Sequence, residues 1–294
     1  MSVVGPPPSP SISKHDRKFP PLTPGIKRYY TSVIDQFLMC PAYYQMKIEE
    51  KKIFIRTIMA IGTGIHKGAE VDNHTKKEKG TPAPVKEVVD AAVAEYDDAL
   101  KEGEVLEGKS EIDAGRDQTA TGAGSFADVV SPTVKQPSLI EVPILARYSI
   151  ESYSFELAGI IDLSDGDGSA ERIRDLKTGR KRRGADYAHG RGQLSAYGIL
   201  FQAIRGTYPA GYQIDSLVLS AQGWRYEALP TDRTQEDYDS YRDRLLAVDA
   251  AIRAGSFPPC AEGSWFCSPK WCEYWPTCKY VASRRRHFKE VSDE

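Results

Sequence analysis

Three short apolar segments that follow one another in the middle of the chain constrain its fold most. They span residues 138–145, 154–163 and 172–177, and each has the length and the β-branched content of a strand. Turn signals separate them, of which Asp165-Gly-Asp-Gly168 is the clearest. The three segments therefore predict a β-meander, which is the start of a sheet.

Helical periodicity surrounds this meander on both sides. We predict helices at 32–48 with a break at Cys40-Pro41, at 57–74, at 85–100, weakly at 107–134, at 187–205 and at 235–254, and further strands at 214–220 and 225–229. This order predicts a mixed α/β domain, in which helices flank a central mixed β-sheet and the N-terminal part is helical.

The first 25 residues differ in composition, since seven of them are proline. Such a segment buries too little apolar surface to offset its ordering entropy, so we expect residues 1–25 to be a disordered tail and 26–294 to be one domain. The tail has no apolar core typical of a secretory signal, and no later segment approaches the roughly 18 apolar residues of a membrane span. We therefore expect a cytoplasmic protein. A net charge of −2 does not by itself point to nucleic acid.

Two carboxylates and a lysine lie at the ends of the second and third predicted strands. Asp162 ends the apolar run 157–163, and Asp175 and Lys177 are two residues apart, so they project to the same face of their strand while Leu176 faces the other way. Converging carboxylates are hard ligands for Mg²⁺ or Mn²⁺, and a neighbouring lysine can offset charge on a phosphate undergoing hydrolysis. A D-x-K tripeptide is common, and without further context a solvated strand edge is the better explanation.

Positive charge continues beyond the third strand. Runs of charge are usually only solvated surface. We nevertheless predict that the four basic residues after this strand contact a nucleic-acid backbone; they are Arg180, Lys181, Arg182 and Arg183. A second basic cluster, near the end of the chain, has no clear assignment from the sequence: Lys279, Arg284, Arg285, Arg286 and Lys289.

Four short motifs and a set of cysteines occur in the order typical of one enzyme family. The motifs are Gly62-Thr-Gly-Ile-His66, Gly159-Ile-Ile-Asp162, Asp175-Leu-Lys-Thr-Gly179 and Gln193-Leu-Ser-Ala-Tyr197. With them, the chain resembles the RecB-type branch of the PD-(D/E)XK nuclease superfamily, whose core is restriction-endonuclease-like.

The resemblance implies roles for residues that the pattern alone leaves open. His66 would add a nitrogen ligand to Asp162 and Asp175, which suits Mn²⁺. Gln193 and Tyr197, which share a helix face, would lie near the active site and the path of the DNA. For Glu141 we expect only a surface strand position.

The cysteines form a second candidate metal site. Cys267, Cys272 and Cys278 lie in a cysteine-rich segment at 257–280, while Cys40 lies far earlier in the chain. In a reducing compartment, clustered cysteines favour a metal centre over disulfides. The resemblance implies a [4Fe–4S] cluster held by these four residues, with tetrahedral zinc as the rival. Cys260 is either a free thiol or a replacement for Cys40.

The function that the resemblance implies is a metal-dependent DNA nuclease, namely an exonuclease acting on DNA ends or single strands. Recombination, repair and the processing of phage or CRISPR-associated DNA are the candidate pathways, with a recombinase, helicase or CRISPR protein as an unassigned partner. The chain contains no Gly-x₄-Gly-Lys-Ser/Thr motif of an ATPase motor. Two other classes stay open: a catalytically inactive iron–sulfur DNA-binding module and a zinc-stapled interaction protein.

Overall fold

A computed structural model describes residues 19–50, 53–150, 153–166 and 170–282. Residues 1–18 of the predicted tail, part of the predicted turn at 165–168 and the basic residues at 284–289 lie outside the described residues. The chain divides into two compact units. Of the described residues, the larger unit comprises those within 19–31 and 53–241, and the smaller comprises those within 32–50 and 242–282.

A six-stranded mixed sheet forms the centre of the larger unit. The strands of the described chain are β1 (Lys27–Tyr30), β2 (Phe54–Ile55), β3 (Glu104–Val105), β4 (Pro137–Ile150), β5 (Tyr153–Asp165), β6 (Arg172–Gly179), β7 (Gly211–Ser220) and β8 (Gly223–Thr231). Of these, β2 and β3 form a separate parallel pair.

The long strand β5 organises the sheet. It pairs antiparallel with β4 along its whole length, parallel with β1 over its first half, and antiparallel with β6 only over its last three residues. The sheet then continues through β7, which is parallel to β6, and β8, which is antiparallel to β7. The predicted meander is therefore confirmed, and it lies at the centre of a sheet with mixed strand directions.

Helices flank this sheet, as predicted. The helices of the described chain are α1 (Thr31–Met39), α2 (Pro41–Glu50), α3 (Thr57–Lys79), α4 (Val85–Ala99), α5 (Lys109–Ser125), α6 (Gly192–Arg205) and α7 (Gln235–Arg253). Helices α3, α4 and α5 enclose an apolar core that reaches the sheet at Leu176 and Leu217. Helix α6 connects the parallel strands β6 and β7 and packs on β4, β5 and β6.

In the smaller unit, α2 packs on the cysteine-rich segment. The ring of Tyr43 meets Phe266 and Tyr274 at centroid distances of 5.1 and 5.4 Å, and its hydroxyl donates to Glu273 at 2.7 Å. The backbone N–H of Ala42 donates to the carbonyl of Pro258 at 3.1 Å. The predicted break at Cys40-Pro41 is confirmed, because α1 ends at Met39 and proline begins α2.

Three sequence expectations need correction. Strand β1 was not expected, and residues 109–125 form a complete helix rather than a weak one. The predicted tail also extends too far, because Phe19 is buried and packs with Ala158 and Ile160 of β5. None of the described helices is long and apolar enough to cross a membrane.

Candidate active site

Close packing of α3 places His66 at the sheet. A Cβ atom on Gly64 would lie 2.5 Å from the carbonyl oxygen of Ala92, and one on Gly68 would lie 2.8 Å from that of Val88. Both glycines therefore allow α3 to approach α4 more closely than any side chain would permit. His66 lies on the helix between them, and the glycine-rich motif positions this histidine rather than contributing chemistry itself.

The separation of β5 from β6 creates a place for Asp162. The two strands pair only as far as Leu163 with Arg174, and the next residues toward the site are Asp162 and Asp175. There the carboxylate of Asp162 takes the place of a backbone carbonyl on a paired strand, because its Oδ2 accepts the backbone N–H of Leu176 at 3.1 Å. The sheet backbone thus fixes the carboxylate at the point where the strands part.

His66, Glu141 and Asp162 form a group that could hold a metal ion. Their ligand atoms all lie within 4.8 Å of one another. The Nε2 atom of His66 lies 2.9 Å from the carbonyl oxygen of Leu176, so it carries the proton in the neutral ring. Its Nδ1 then faces Glu141 at 3.7 Å and Asp162 at 3.5 Å, where a metal ion would take the place of the second proton of the charged ring. A backbone carbonyl that orients a ligating histidine is a common arrangement around metals.

Glu141 corrects the expectation of a plain surface strand residue. The residues on either side of it pair with the residues on either side of Asp162, so the two carboxylates lie opposite each other across β4 and β5. Its backbone has a φ of 49°, which is the left-handed region that non-glycine residues rarely adopt. Strain of this kind is concentrated at functional sites. Glu141 is thus a site residue that we did not predict.

Asp175 and Lys177 form an ion pair beside this group. The Nζ atom of Lys177 lies 2.7 Å from Oδ1 of Asp175, whose side chain is 1% exposed. Leu176 between them joins the apolar core of the helices, so the predicted alternation of side chains along β6 is present. Asp175 lies outside the three-residue group that contains Glu141, and its role as a metal ligand stays a prediction.

Negative charge dominates the electrostatics of this site. Burial, opposed by the positive charge of His66 and assisted by the negative charge of Asp175, raises the pKa of Asp162 to about 7. Burial alone would lower the pKa of His66, but the carboxylates of Asp162 and Glu141 raise it to about 9. Burial likewise opposes the charge of Lys177, yet Asp175 and Asp162 raise its pKa, so this lysine stays protonated. The site thus attracts cations.

Comparison with known proteins identifies the family to which this chain belongs. A family model described as the PD-(D/E)XK nuclease superfamily matches residues 31–279. The chain belongs to the PD-(D/E)XK nuclease superfamily. No curated protein matches it. The chain is similar to a crystal structure named "Putative exonuclease" from Eubacterium rectale, with a TM-score of 0.50, 11% identity, and coverage of 85% of this chain and 87% of that one. It also aligns with the crystal structure of SSO0001, with a TM-score of 0.37, 13% identity, and coverage of 84% and 96%. The first likeness shows a shared fold and nothing more.

Gln193 and Tyr197 of this PD-(D/E)XK nuclease lie near the carboxylates, but one of them is buried. The amide of Gln193 donates to the hydroxyl of Tyr197 at 2.6 Å. Burial and the charges of Asp162 and Asp175 raise the pKa of Tyr197 well above its ordinary value. Because Tyr197 is only 3% exposed, its ring cannot stack on DNA in this structure. The buried ring lies near the active site, as the resemblance implies, and its part in DNA binding stays a prediction.

The predicted basic contacts at 180–183 divide into two kinds. Residues 180–182 are exposed, and Arg182 pairs with Glu227 at 2.6 Å. Arg183 folds back onto the sheet instead, where it donates to the hydroxyl of Ser216 at 3.0 Å and to backbone carbonyls at the end of β6. Arg183 therefore serves the structure of the loop, and the first three residues keep their predicted role as phosphate contacts.

The cysteines lie near one another in the smaller unit. Cys40 and Cys267 lie close enough to Cys260 to influence its pKa. Burial, and then the neighbouring Cys278 and Cys40, raise the pKa of Cys272. Within the described part of the chain, no three thiols lie within 4.8 Å of one another. Cys260 thus lies near the other cysteines, and whether it is a free thiol or a ligand stays open.

Proposed function

We propose that this PD-(D/E)XK nuclease hydrolyses phosphodiester bonds in DNA with Mg²⁺ or Mn²⁺ bound at the larger unit. The observation that carries the proposal is the group of His66, Glu141 and Asp162 beside the Asp175–Lys177 ion pair. Asp175 is proposed as a further ligand or as the residue that holds Lys177. DNA is the substrate class proposed from membership of the superfamily.

The donor set suits such an ion. Two carboxylates give the hard oxygen ligands that Mg²⁺ and Mn²⁺ prefer, and one imidazole nitrogen shifts the preference toward Mn²⁺. The orientation of His66 by the carbonyl of Leu176 leaves Nδ1 available for coordination. When bound, the ion would polarise the phosphate and lower the pKa of a coordinated water.

The Asp175–Lys177 ion pair adds a positively charged hydrogen-bond donor to the site, which the proposed metal ligands do not provide. Lys177 stays protonated because Asp175 and Asp162 outweigh its burial, so it does not act as a general base. Its ammonium can instead donate to a phosphate oxygen or to the attacking water, and it can offset the negative charge that develops during hydrolysis. Asp175 holds this ammonium in place through the 2.7 Å contact.

The finer assignment is an exonuclease that acts on DNA ends or single strands. The sequence resemblance to the RecB-type branch supports it, and the similar fold carries the name of an exonuclease in another protein. Recombination, repair or the processing of phage or CRISPR-associated DNA are the proposed settings, in an intracellular protein.

Digestion of end-labelled linear, circular and single-stranded DNA tests the proposal directly. We expect the wild type to cut in Mn²⁺ and Mg²⁺ but not in EDTA, and to leave closed circles intact. Asp175→Ala should lose at least about a hundredfold in rate, because Lys177 loses the carboxylate that holds it. Equal and negligible activity of both proteins in every metal would refute the enzyme and favour an inactive DNA-binding module.

We also propose that the cysteines of the smaller unit hold a metal centre. The ligands proposed for a [4Fe–4S] cluster are Cys40, Cys267, Cys272 and Cys278, and zinc is the alternative. Burial raises the pKa of Cys272 to about 12, so this thiol is protonated unless a metal binds it.

Anaerobic purification distinguishes the two metals. An iron–sulfur cluster should give a brown protein that absorbs near ~400 nm and contains about four irons per chain. Cys272→Ser should bleach this absorption, while Cys260→Ser tests whether the fifth cysteine is a ligand. A colourless protein with stoichiometric zinc would contradict the cluster and leave the cysteine site itself in place.

A further inference from the structure

In the part of the chain that the structure describes, the exposed aromatic side chains are concentrated in one short segment. Trp265, Trp271 and Tyr280 are 65%, 49% and 43% exposed. Every other aromatic side chain in the described residues is buried or half-buried. We call these three residues the aromatic platform. All belong to the smaller unit, and none has a role in the metal-dependent chemistry proposed above.

Neighbouring contacts hold the two tryptophans in fixed positions. Their rings meet edge to face at a centroid distance of 5.6 Å and an angle of 88°, so each indole keeps a face that the other does not cover. Trp265 also contacts the buried Phe266 at 5.9 Å. The intervening backbone forms hydrogen-bonded turns, in which the N–H groups of Trp271 and Cys272 both donate to the carbonyl of Ser268. The two tryptophans of the aromatic platform are therefore preorganised.

Positive charge accompanies each end of the aromatic platform. Lys270 places its Nζ 5.3 Å from the ring centroid of Trp271, and Lys279 places its Nζ 5.0 Å from that of Tyr280. The sequence from 265 to 289 contains six lysines and arginines and one acidic residue, Glu273. Glu273 accepts the hydroxyl of Tyr43 and is half-buried, whereas Lys270 and Lys279 are exposed, so the exposed charge of the described residues 265–282 is positive.

We infer that the aromatic platform binds unpaired nucleotides. Exposed aromatic rings beside lysines are the combination by which proteins hold single-stranded nucleic acid, since bases stack on the rings and cations contact the phosphates. A protein partner would be expected to cover an apolar patch with few charges at its centre, whereas here the rings alternate with cations. The inference rests on the proposed function only in taking nucleic acid as the ligand. It adds a binding surface on the unit that carries the cysteines.

Binding of a fluorescent oligothymidine of about 20 nucleotides tests the inference in the full chain with EDTA, so that no cleavage occurs. We expect Trp265→Ala/Trp271→Ala to bind at least about tenfold more weakly than the wild type, because two stacking surfaces are lost. The tryptophan fluorescence of the wild type should be quenched by the oligonucleotide, and this quenching should be largely lost in the variant. A duplex of the same length should show a much smaller difference.

Three controls make the result decisive. Trp265→Phe/Trp271→Phe keeps aromatic faces and should retain most of the affinity, even if the alanine variant is less stable. Ile204 is an apolar side chain of the larger unit and is 45% exposed. The Ile204→Ala variant should bind the oligonucleotide as the wild type does. Asp175→Ala should bind normally while failing to cut, which separates this inference from the nuclease proposal.

Equal binding of the single strand by the wild type and the alanine variant would overturn the inference and leave the nuclease proposal standing. If only the alanine variant lost a self-association seen by light scattering, the aromatic platform would be a protein contact instead. Failure of the wild type to bind the single strand in EDTA would also overturn the inference, whereas the nuclease proposal is tested separately by cleavage in Mn²⁺.

Discussion

Replacing Asp162 with asparagine is expected to reduce nuclease activity at least about a thousandfold without unfolding the protein. Asparagine keeps an oxygen that can accept the N–H of Leu176, which Asp162 binds at 3.1 Å, so the local backbone should persist. It removes the negative charge that the proposed metal ion needs, beside His66 at 3.5 Å. Steady-state cleavage of a labelled duplex in saturating Mn²⁺ measures the loss.

The same variant should be more stable than the wild type when metal is absent. Burial raises the pKa of Asp162 to about 7 in the folded protein, above its ordinary value of about 3.9. A carboxyl with a raised pKa binds its proton more tightly when folded, so its ionisation costs stability as the pH rises from about 4 to 7. At pH 8 that full cost is present, and asparagine removes it. We expect the Tm in EDTA at pH 8 to rise by a few degrees.

Glu156 offers a matched control on the same strand. Its carboxylate lies six residues before Asp162, about 20 Å along β5. It pairs with Arg28 at 2.8 Å and with Arg147 at 2.9 Å. Glu156→Gln should therefore show the opposite pattern, with activity retained and Tm lowered. Loss of activity in both variants to the same extent would mean that fold damage, not loss of a ligand, explains the result.

The parts of the fold that the sequence predicted are those governed by local periodicity. The meander, the helix break at Cys40-Pro41 and the projection of Asp175 and Lys177 to the same face of β6 follow from spacings within single elements. Helix α5 was underestimated because its glycines lower helix propensity. A Cβ atom on Gly115 would lie 2.4 Å from the hydroxyl of Tyr96, so packing against α4 requires the residue that weakens the local signal.

The site was predicted only in part, because its last member depends on contacts between strands. His66, Asp162, Asp175 and Lys177 each lie in a short motif, whereas Glu141 has none. Its position follows from the register of β4 on β5, which begins with the pairing of Ile150 and Tyr153 and brings Glu141 opposite Asp162. Predicting from the sequence that Ile150 pairs with Tyr153 would have given this register and so the position of Glu141. The left-handed backbone at Glu141 could not have been predicted from the sequence.

Because the register of β4 on β5 places Glu141 opposite Asp162, Glu141→Gln is expected to have the second largest effect on metal binding and activity. Glutamine preserves the size of the side chain but removes one of the two carboxylates that face Nδ1 of His66 at 3.7 and 3.5 Å. We expect the affinity for Mn²⁺, measured calorimetrically without DNA, to fall by about tenfold to a hundredfold. Activity at low Mn²⁺ should fall at least as much, and saturating Mn²⁺ should restore part of it.

Glu70 supplies the control that makes this prediction specific to position rather than to charge. Glu70 lies one helical turn after His66, and both residues line one cavity together with Glu141 and Asp162. The side chain of Glu70 is 23% exposed, and that of Glu141 is 18% exposed. Glu70 pairs with Lys67 at 2.9 Å, and it does not belong to the three-residue group. Glu70→Gln should therefore bind Mn²⁺ as the wild type does. If both variants lost affinity equally, the cavity would attract cations by its general negative charge. If neither did, the ligands would be His66, Asp162 and Asp175, as the motifs alone predict.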